Sequence, residues 1–553
     1  MMKGRIKVAM KSGKATFSRQ LFSALALTAA LALQFSAQSP SGLSPAEKNL
    51  TRTIKTKEIK RITSELSSDK YEGRGMLQRG GDLAAGWIAD EMKRIGLKPL
   101  GDNGGFLQSA PFVETVFSDA TSVKVGGEKL VYARDWSAPG LFVDLDVTAP
   151  LVFVGHWLVS QNLGRDDLKN VDLKGKIAVF IEGRPANVAA DRWDAETSGG
   201  KQFVTLIQRG VAGIISLSNG LELYNRKFII DMTARRNIST PEGAKLTSPL
   251  PLIYLSDEAA EKLFAGSGLS RKAAFDAADR GDFNPIELKQ TFAVSLKSKR
   301  TEGNAFNVIG YLEGSDPVLK SEAVAFTAHY DAYGLMNGKI YNGAADNAIG
   351  NGEMLAVAIA FSKMKVKPKR SLLFISMMGE EAGLLGSKYW VANPTWKLAM
   401  IAAVMNLDGI GTEIMGPVKQ MIGYGAPYST LGPMFKSVAG SYGIGLLDDP
   451  IPEQGVFKRS DHYSFVERGV PGLMLVGSPE ATKEGFAKRF NEFENTKYHQ
   501  PSDDIYKDWN WEGAKTVSDM MAILGYRVAQ QAEMPSFLDG NPYSGLKRGD
   551  KLP

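Results

Sequence analysis

Across 553 residues the sequence contains no cysteine, and this absence restricts it more than anything it contains. A disulfide framework and a cysteine-linked lipid anchor are both excluded. Stability has to come from core size, and any metal has to be held by histidine and carboxylate. Histidine is itself scarce, with only His156, His329, His462 and His499 in the chain. There is no internal repeat, no low-complexity tract and no dense Lys/Arg patch with interleaved aromatics. The usual footprint of a nucleic-acid partner is therefore missing.

Long hydrophobic runs are equally rare. The one that stands out, Leu21 to Leu33, is too short to cross a bilayer comfortably. Lys3, Arg5, Lys7, Lys11, Lys14 and Arg19 precede it without an acid, and the small residues Ser36 and Ala37 follow. This is the layout of a secretory signal peptide over residues 1–37, with cleavage expected between Ala32 and Gln38. Loss of the six leader cations takes the formal charge from +6 to zero, so the basic pI near 9.0 belongs to the leader. The expectation is an exported protein, periplasmic or secreted, with no nucleic-acid partner and no membrane partner after cleavage.

What is present is an ordinary globular composition, 44% hydrophobic and 23% charged, on a chain longer than one core usually organises. Residues from about 40 to 66 read as polar and charged. Ile88 to Leu97 reads as an amphipathic helix, with Ala89, Met92 and Ile95 on one face and a stop at Gly96. Over 120–295 the pattern changes to short apolar strands such as Leu151 to Val154 and Ile177 to Ile181, separated by Gly, Asp and Asn turns, which predicts a β-rich insert. After Thr301 strand and helix alternate: Ala323 to Thr327, a helix from Gly352 to Met364, Ser371 to Met377, Ile401 to Asn406. That rhythm predicts a doubly wound α/β domain on a mostly parallel sheet, formed by 296–535 together with 38–119. A last helix is expected from Trp511 to Ala532, then a loose tail over 536–553.

Three of the apolar strands end alike. One is followed by His329-Tyr-Asp331, one by Glu380-Glu381 and one by Asp408-Gly. Ligands of open α/β sheets bind at the carboxyl ends of strands, so these groups are expected to converge. Asp346 sits in a Gly-rich loop before a helix, and His499 on a polar loop near the end of the chain. Each is weak evidence alone. Two histidines and a set of carboxylates together suit a divalent ion such as zinc, and they are what a cysteine-free chain has to offer.

The series AHYD, GAADN, GEE, NLDG and YHQPSDD, in that order, resembles metallopeptidase family 28, the dizinc aminopeptidases related to glutamate carboxypeptidase and the transferrin receptor. The resemblance is strong from Asn304 onward and extends weakly to Leu66-Ser-Ser-Asp-Lys-Tyr-Glu-Gly-Arg74. It implies two zincs per chain, with Asp346 bridging, His329 and Asp408 completing one site, and Glu381 and His499 the other. It makes Glu380 the general base, with Asp331 accepting the second ring N–H of His329. It also implies a cis-like peptide at Asp346-Asn347.

The implied reaction is removal of amino-terminal residues from peptides by a hydroxide formed when Glu380 deprotonates a zinc-bound water. Arg459-Ser-Asp-His462-Tyr463-Ser-Phe resembles a segment lining the family's cleft, which makes His462 or Tyr463 candidate donors to the oxyanion. The insert resembles a protease-associated domain through Ala149-Pro-Leu-Val-Phe-Val-Gly, Leu173-Lys-Gly-Lys-Ile-Ala-Val and Gly210-Val-Ala-Gly-Ile-Ile. His156, within it, receives no role. The alternatives on this scaffold are a carboxypeptidase or dipeptidase, a receptor-like module without catalysis, and a one-zinc glutaminyl cyclase.

Overall fold

The computed structural model describes residues 42–550 apart from 139–143, 198–199, 221–224, 247–249, 282, 410 and 506–508. The signal-peptide reading of 1–37 lies outside the described residues. Two large sheets organise the chain. The first has ten strands, in the order Asn237–Ser239, Leu107–Phe117, Ser298–Leu312, Ser371–Met377, Ala323–His329, Ile401–Asn406, Gly472–Ser478, Gln420–Tyr424, Gly445–Leu446, with Lys98–Pro99 added on Ser298–Leu312. Its four central strands, from Ser371–Met377 to Gly472–Ser478, run parallel and are buried along their whole length. On either side the pairing becomes antiparallel.

The sheet is thus mixed, and the expectation of a mostly parallel one is corrected. Only strands with helices on both faces need parallel crossovers, and the flanking strands reach the sheet through the insert or a short return instead. Helices do cover both faces. Along Ala323–His329, Val324, Phe326 and Ala328 enter a core shared with Thr56–Leu66, Ile349–Ser362 and Trp511–Gln530. Ala323 and Ala325 point the other way, into a core with Trp390, Val391 and Phe465. Ile349–Ser362 is buried on nearly all sides, which explains its continuous apolar sequence. Among the described residues no helix is long and apolar enough to cross a membrane.

The second sheet takes its eight strands from between Ser122 and Leu296. The chain leaves the first sheet after Phe117 and returns at Ser298, and these two residues pair with each other. The segment is not simply β-rich. Five described helices, Ala190–Thr197, Lys201–Gln208, Arg226–Thr233, Asp257–Leu263 and Arg271–Arg280, belong to it, and Leu145–Phe153, Ile177–Glu182 and Gly213–Ser218 are consecutive parallel strands. Its helices are only seven to ten residues long, too short to show a clear helical period between the Gly-rich turns.

Two other expectations change, and the segment at 40–66 gains a form that its composition left open. The polar stretch at 40–66 forms two helices, Pro45–Thr53 and Thr56–Leu66. The first is opened by a reciprocal Ser44–Glu47 capping box, and the pair buries Leu50, Ile59, Ile62 and Leu66. The helix expected from Ile88 begins at Arg79 and ends, as its glycine signals, at a left-handed Gly96. Its buried face is Ala84, Ala85, Ile88 and Met92 rather than Ala89 and Ile95. The tail is docked: Tyr543 is buried against Tyr428 and Phe457, and Arg548 donates to the carbonyls of Ile401 and Ala402 at 2.8 and 2.9 Å.

Candidate metal centre

Three adjacent parallel strands place the first group of side chains. His329 is opposite Met377 and Thr327 is opposite Asn406, so the strands end level and the residues just beyond them, Asp331, Glu380, Glu381 and Asp408, meet over one edge. Asp346 arrives from the turn before Ile349–Ser362. Gly343 there has φ of 52°, and a side chain on it would lie 2.5 Å from both Ala332 Cβ and the Asp346 carbonyl oxygen, so the turn requires glycine. The Asp346-Asn347 peptide is cis. His499 comes from the loop after Lys483–Thr496, with a φ of 58°.

The side chains close into two groups that share one residue. His329 Nε2 lies 3.2 Å from Asp346 Oδ1 and 3.5 Å from Asp408 Oδ1. His499 Nε2 lies 3.0 Å from the other Asp346 oxygen, Oδ2, and 3.1 Å from Glu381 Oε2. Each group gathers its ligand atoms tightly enough for one ion. His329 Nε2 and Glu381 Oε1 are buried without a hydrogen-bond partner, and a metal ion is the natural occupant for such orphaned donors. The residues present therefore fit zinc, the soft edge of the set being two imidazoles and the hard edge carboxylates.

Surrounding contacts hold these groups in register. His329 Nδ1 donates to the main-chain carbonyl of Asp331 at 3.2 Å, which leaves Nε2 to face the cluster. The carboxylate of Asp331, expected to be that acceptor, stands 3.6 Å away and instead accepts the backbone N–H groups of Glu380 and Glu381 at 3.3 Å each. The difference arises because the chain turns immediately after His329, bringing the carbonyl nearer than the side chain. Asp503 accepts from the N–H groups of Ala345 and Asp346 at 2.9 and 3.0 Å, and Ser460 donates to Asp408 Oδ2 at 2.5 Å.

Charge in the cluster is dominated by carboxylates. Burial alone would hold His329 uncharged, but Asp408, Glu380 and Asp346 drive its pKa well up, and the same balance with Glu381 and Asp346 raises His499. Burial would raise Asp346, yet His329 and His499 keep it well below the usual range. Glu380 moves the other way. Burial and the neighbouring Asp408, Glu381 and Asp461 push it well above an ordinary glutamate, against the pull of His329. Adjacent glutamates thus meet different surroundings, and Glu380 lines a small cavity with Asp346 and Asp408.

His462 and Tyr463 are not brought into the cluster. His462 is fully buried against Phe457, with Asn406 Nδ2 3.4 Å from its Nδ1, and burial lowers its pKa to about 4. Neither side chain lines the cavity beside Glu380, and Tyr463 packs on Phe457 and Tyr543. His156 pairs with Asp279 at 2.7 Å inside the insert.

Other residues went unread. Tyr333 donates to Glu381 Oε2 and lies 3.2 Å from His499 Nδ1, and Arg235 stacks on its ring. Arg74 is fully buried and donates to the carbonyls of Tyr330, Leu66, Asn342 and Gly343 at 2.5 to 2.7 Å. Tyr333, four residues after His329, and Asp503, four after His499, carried the signal of nearness to a ligand. Arg235 carried none.

An open α/β sheet that delivers two imidazoles and four carboxylates to the ends of its parallel strands defines a protein with a hydrolase-like crevice built for divalent metal. Residues 307–524 match the model of Peptidase family M28. Among its relatives, a "Probable glutamate carboxypeptidase" of Arthroderma benhamiae is 26% identical over 244 residues, 42% of this chain and 31% of the relative. "Leupeptin-inactivating enzyme 1" of Streptomyces exfoliatus is 29% identical over 196 residues, 35% of this chain and 40% of the relative. The matches thus span less than half of either relative. The solved aminopeptidase from Aneurinibacillus sp. strain AM-1 has the same fold, with a TM-score of 0.59 over 88% of this chain and 97% of that one at 18% identity.

Proposed function

We propose that the chain is a two-zinc aminopeptidase, and the observation that carries this reading is the pair of three-residue groups sharing Asp346. His329 and Asp408 would hold one zinc, Glu381 and His499 the other, with one Asp346 oxygen turned to each. Zinc so placed lowers the pKa of a bound water and polarises a peptide carbonyl. Glu380, next to the cluster and with raised proton affinity, takes the water's proton and returns it to the departing amine. Asp331 orients both glutamates through their backbone N–H groups, and Asp503 holds the backbone of the shared aspartate.

Exopeptidase action is supported by the shape behind the cluster. The cavity beside Glu380 has a volume of only about 30 Å³ and is closed by Val456, Met474, Phe490 and Tyr498. Such a recess has room for about one or two waters and leaves none for a polypeptide continuing past Glu380. The name of the Aneurinibacillus enzyme supports the amino terminus as the point of attack. The name of the Arthroderma relative favours a second reading, a carboxypeptidase on the same centre. We further read the segment between Ser122 and Leu296 as protease-associated-like, supported by its three resembling stretches falling on neighbouring strands, and the protein as exported, supported by its leader-like residues.

Hydrolysis of matched peptides with free and acetylated amines tests the direction, with elemental analysis alongside. Cleavage of the free-amine peptides alone, by protein holding close to two zincs, is the expected result. Loss of the carboxyl-terminal residue from acetylated peptides would establish the carboxypeptidase instead, and at most one metal in active protein would rule out the two-zinc centre.

A further inference from the structure

The insert sends one segment back to the first sheet. Asn237–Ser239 pairs with Val113–Thr115 at the sheet edge and carries Arg235 and Arg236 with it. Arg236 is fully used, paired with Glu114 and donating to the Met76 carbonyl at 2.9 Å. Arg235 is not. Its guanidinium lies flat over Tyr333, 3.5 Å from the ring centroid, and Nη2 donates to the His499 carbonyl at 3.2 Å, but Nε has no hydrogen-bond partner. Among the described residues no carboxylate forms an ion pair with it.

Its remaining contact is Nη1, 3.4 Å from His499 Nδ1. An imidazole that binds metal through Nε2 carries its hydrogen on Nδ1 and cannot accept there. The Tyr333 oxygen, 3.2 Å from Nδ1 and 3.3 Å from Nε2, donates to Glu381, so a protonated Nδ1 gives Arg235 no acceptor and its Nη1 donor is left over. The stacking on Tyr333 meanwhile holds the guanidinium plane in place.

Arg235 lines a cavity of about 310 Å³ that opens beside Glu381 and shares no lining residue with the small recess at Glu380. Met76, Met232, Ile238 and Met336 form its apolar wall. Such a wall accepts the hydrocarbon part of a residue, and a planar cation with donors to spare is matched by a carboxylate. We propose that Arg235 is a specificity-determining residue which receives a carboxylate of the peptide beyond the scissile bond. The carboxylate is either the chain end of a dipeptide or an acidic side chain on the second residue. The inference rests on the peptidase reading above, which leaves this larger cavity for the part of the substrate that departs.

Four peptides separate the possibilities: Leu-Ala, Leu-Ala-amide, Leu-Glu-amide and Leu-Gln-amide, each with wild-type protein and with Arg235→Gln, zinc content being measured in both. A charge-assisted pair should raise wild-type kcat/KM for a carboxylate peptide over its neutral partner by about tenfold or more, mainly through KM. Preference for Leu-Ala over its amide identifies the chain end, and preference for Leu-Glu-amide over Leu-Gln-amide the side chain. Arg235→Gln should close whichever gap exists while both proteins hold equal zinc. Equal rates within both wild-type pairs would overturn the proposal. So would loss of zinc with uniform loss of rate in Arg235→Gln, because the residue would then merely support His499. If none of the four is cut, the peptidase reading itself has failed, an outcome distinct from cleavage without preference.

Discussion

Glu380 and Glu381 follow one another in the chain yet meet opposite conditions. Glu381 accepts from Tyr333 and lies 3.1 Å from His499, whereas Glu380 faces the cavity with its proton affinity raised by burial and neighbouring carboxylates. Consecutive residues leaving a strand diverge, so one can ligate while the other handles the proton. Glu380→Gln should therefore keep both zincs and lose turnover by about 10²–10⁴-fold. In Glu381→Gln metal and turnover should disappear together, and measuring zinc beside kcat in the two variants decides the assignment. Near-normal turnover in Glu380→Gln would show that the roles are wrong. Tyr333→Phe removes the hydroxyl that joins Glu381 to His499 and should weaken zinc binding by about 10–100-fold, read by competition with a chelating dye. An unchanged affinity would mean that this hydroxyl does not orient the ligands.

Among the elements, the turn that presents Asp346 depends on a residue far away in sequence. Arg74 lies at the end of a short turn near the amino terminus, and its guanidinium binds the carbonyls of Asn342 and Gly343 from the loop that leads to Asp346, together with that of Tyr330 beside His329. Burial lowers its pKa to about 10, so it still carries its charge at neutral pH. Lysine has no planar fork and cannot serve four carbonyls set around one. Arg74→Lys should cost on the order of 3–5 kcal/mol of stability, because buried carbonyls lose their donors. Chemical denaturation reads the loss, and a change within measurement error would show that the carbonyls find other partners.

At this scale the sequence was legible where one element decides its own form. Ser371–Met377 and Ile401–Asn406 are found as their apolar runs indicate, and His329, Glu380, Glu381 and Asp408 stand at strand ends as read. The segment at 40–66 did carry a helical signal, a capping box at Ser44–Glu47 and Ile59, Ile62 and Leu66 at spacings of three and four, but the surrounding charge outweighed it. The tail after Pro535 looked loose because its anchors, Tyr543 and Arg548, act through single contacts with distant strands.

For the whole molecule, the cluster ties the amino-terminal helices, the parallel strands and the late His499 loop to one point. Ions that bind only this folded arrangement stabilise it by mass action, by about 4 kcal/mol when free metal exceeds its dissociation constant a thousandfold. Chelation should accordingly lower the melting temperature by several degrees and added zinc should restore it, as followed by calorimetry. A melting temperature indifferent to chelator would mean that the two groups around Asp346 do not hold metal in solution.

The sequence by itself determined the ligand types, since a chain without cysteine can hold zinc only through histidine and carboxylate, and it determined which strand ends carry them, since apolar runs mark their own limits. Tertiary structure alone decided the pairing direction of the flanking strands, the burial of His462 outside the lining of the cavity, and the arrival of Arg235 over Tyr333 from the insert. The physical reason is one of range. Local preference and periodicity act over a few residues, while the supports of this centre are contacts between segments as much as 269 positions apart, and no spacing in the chain records them.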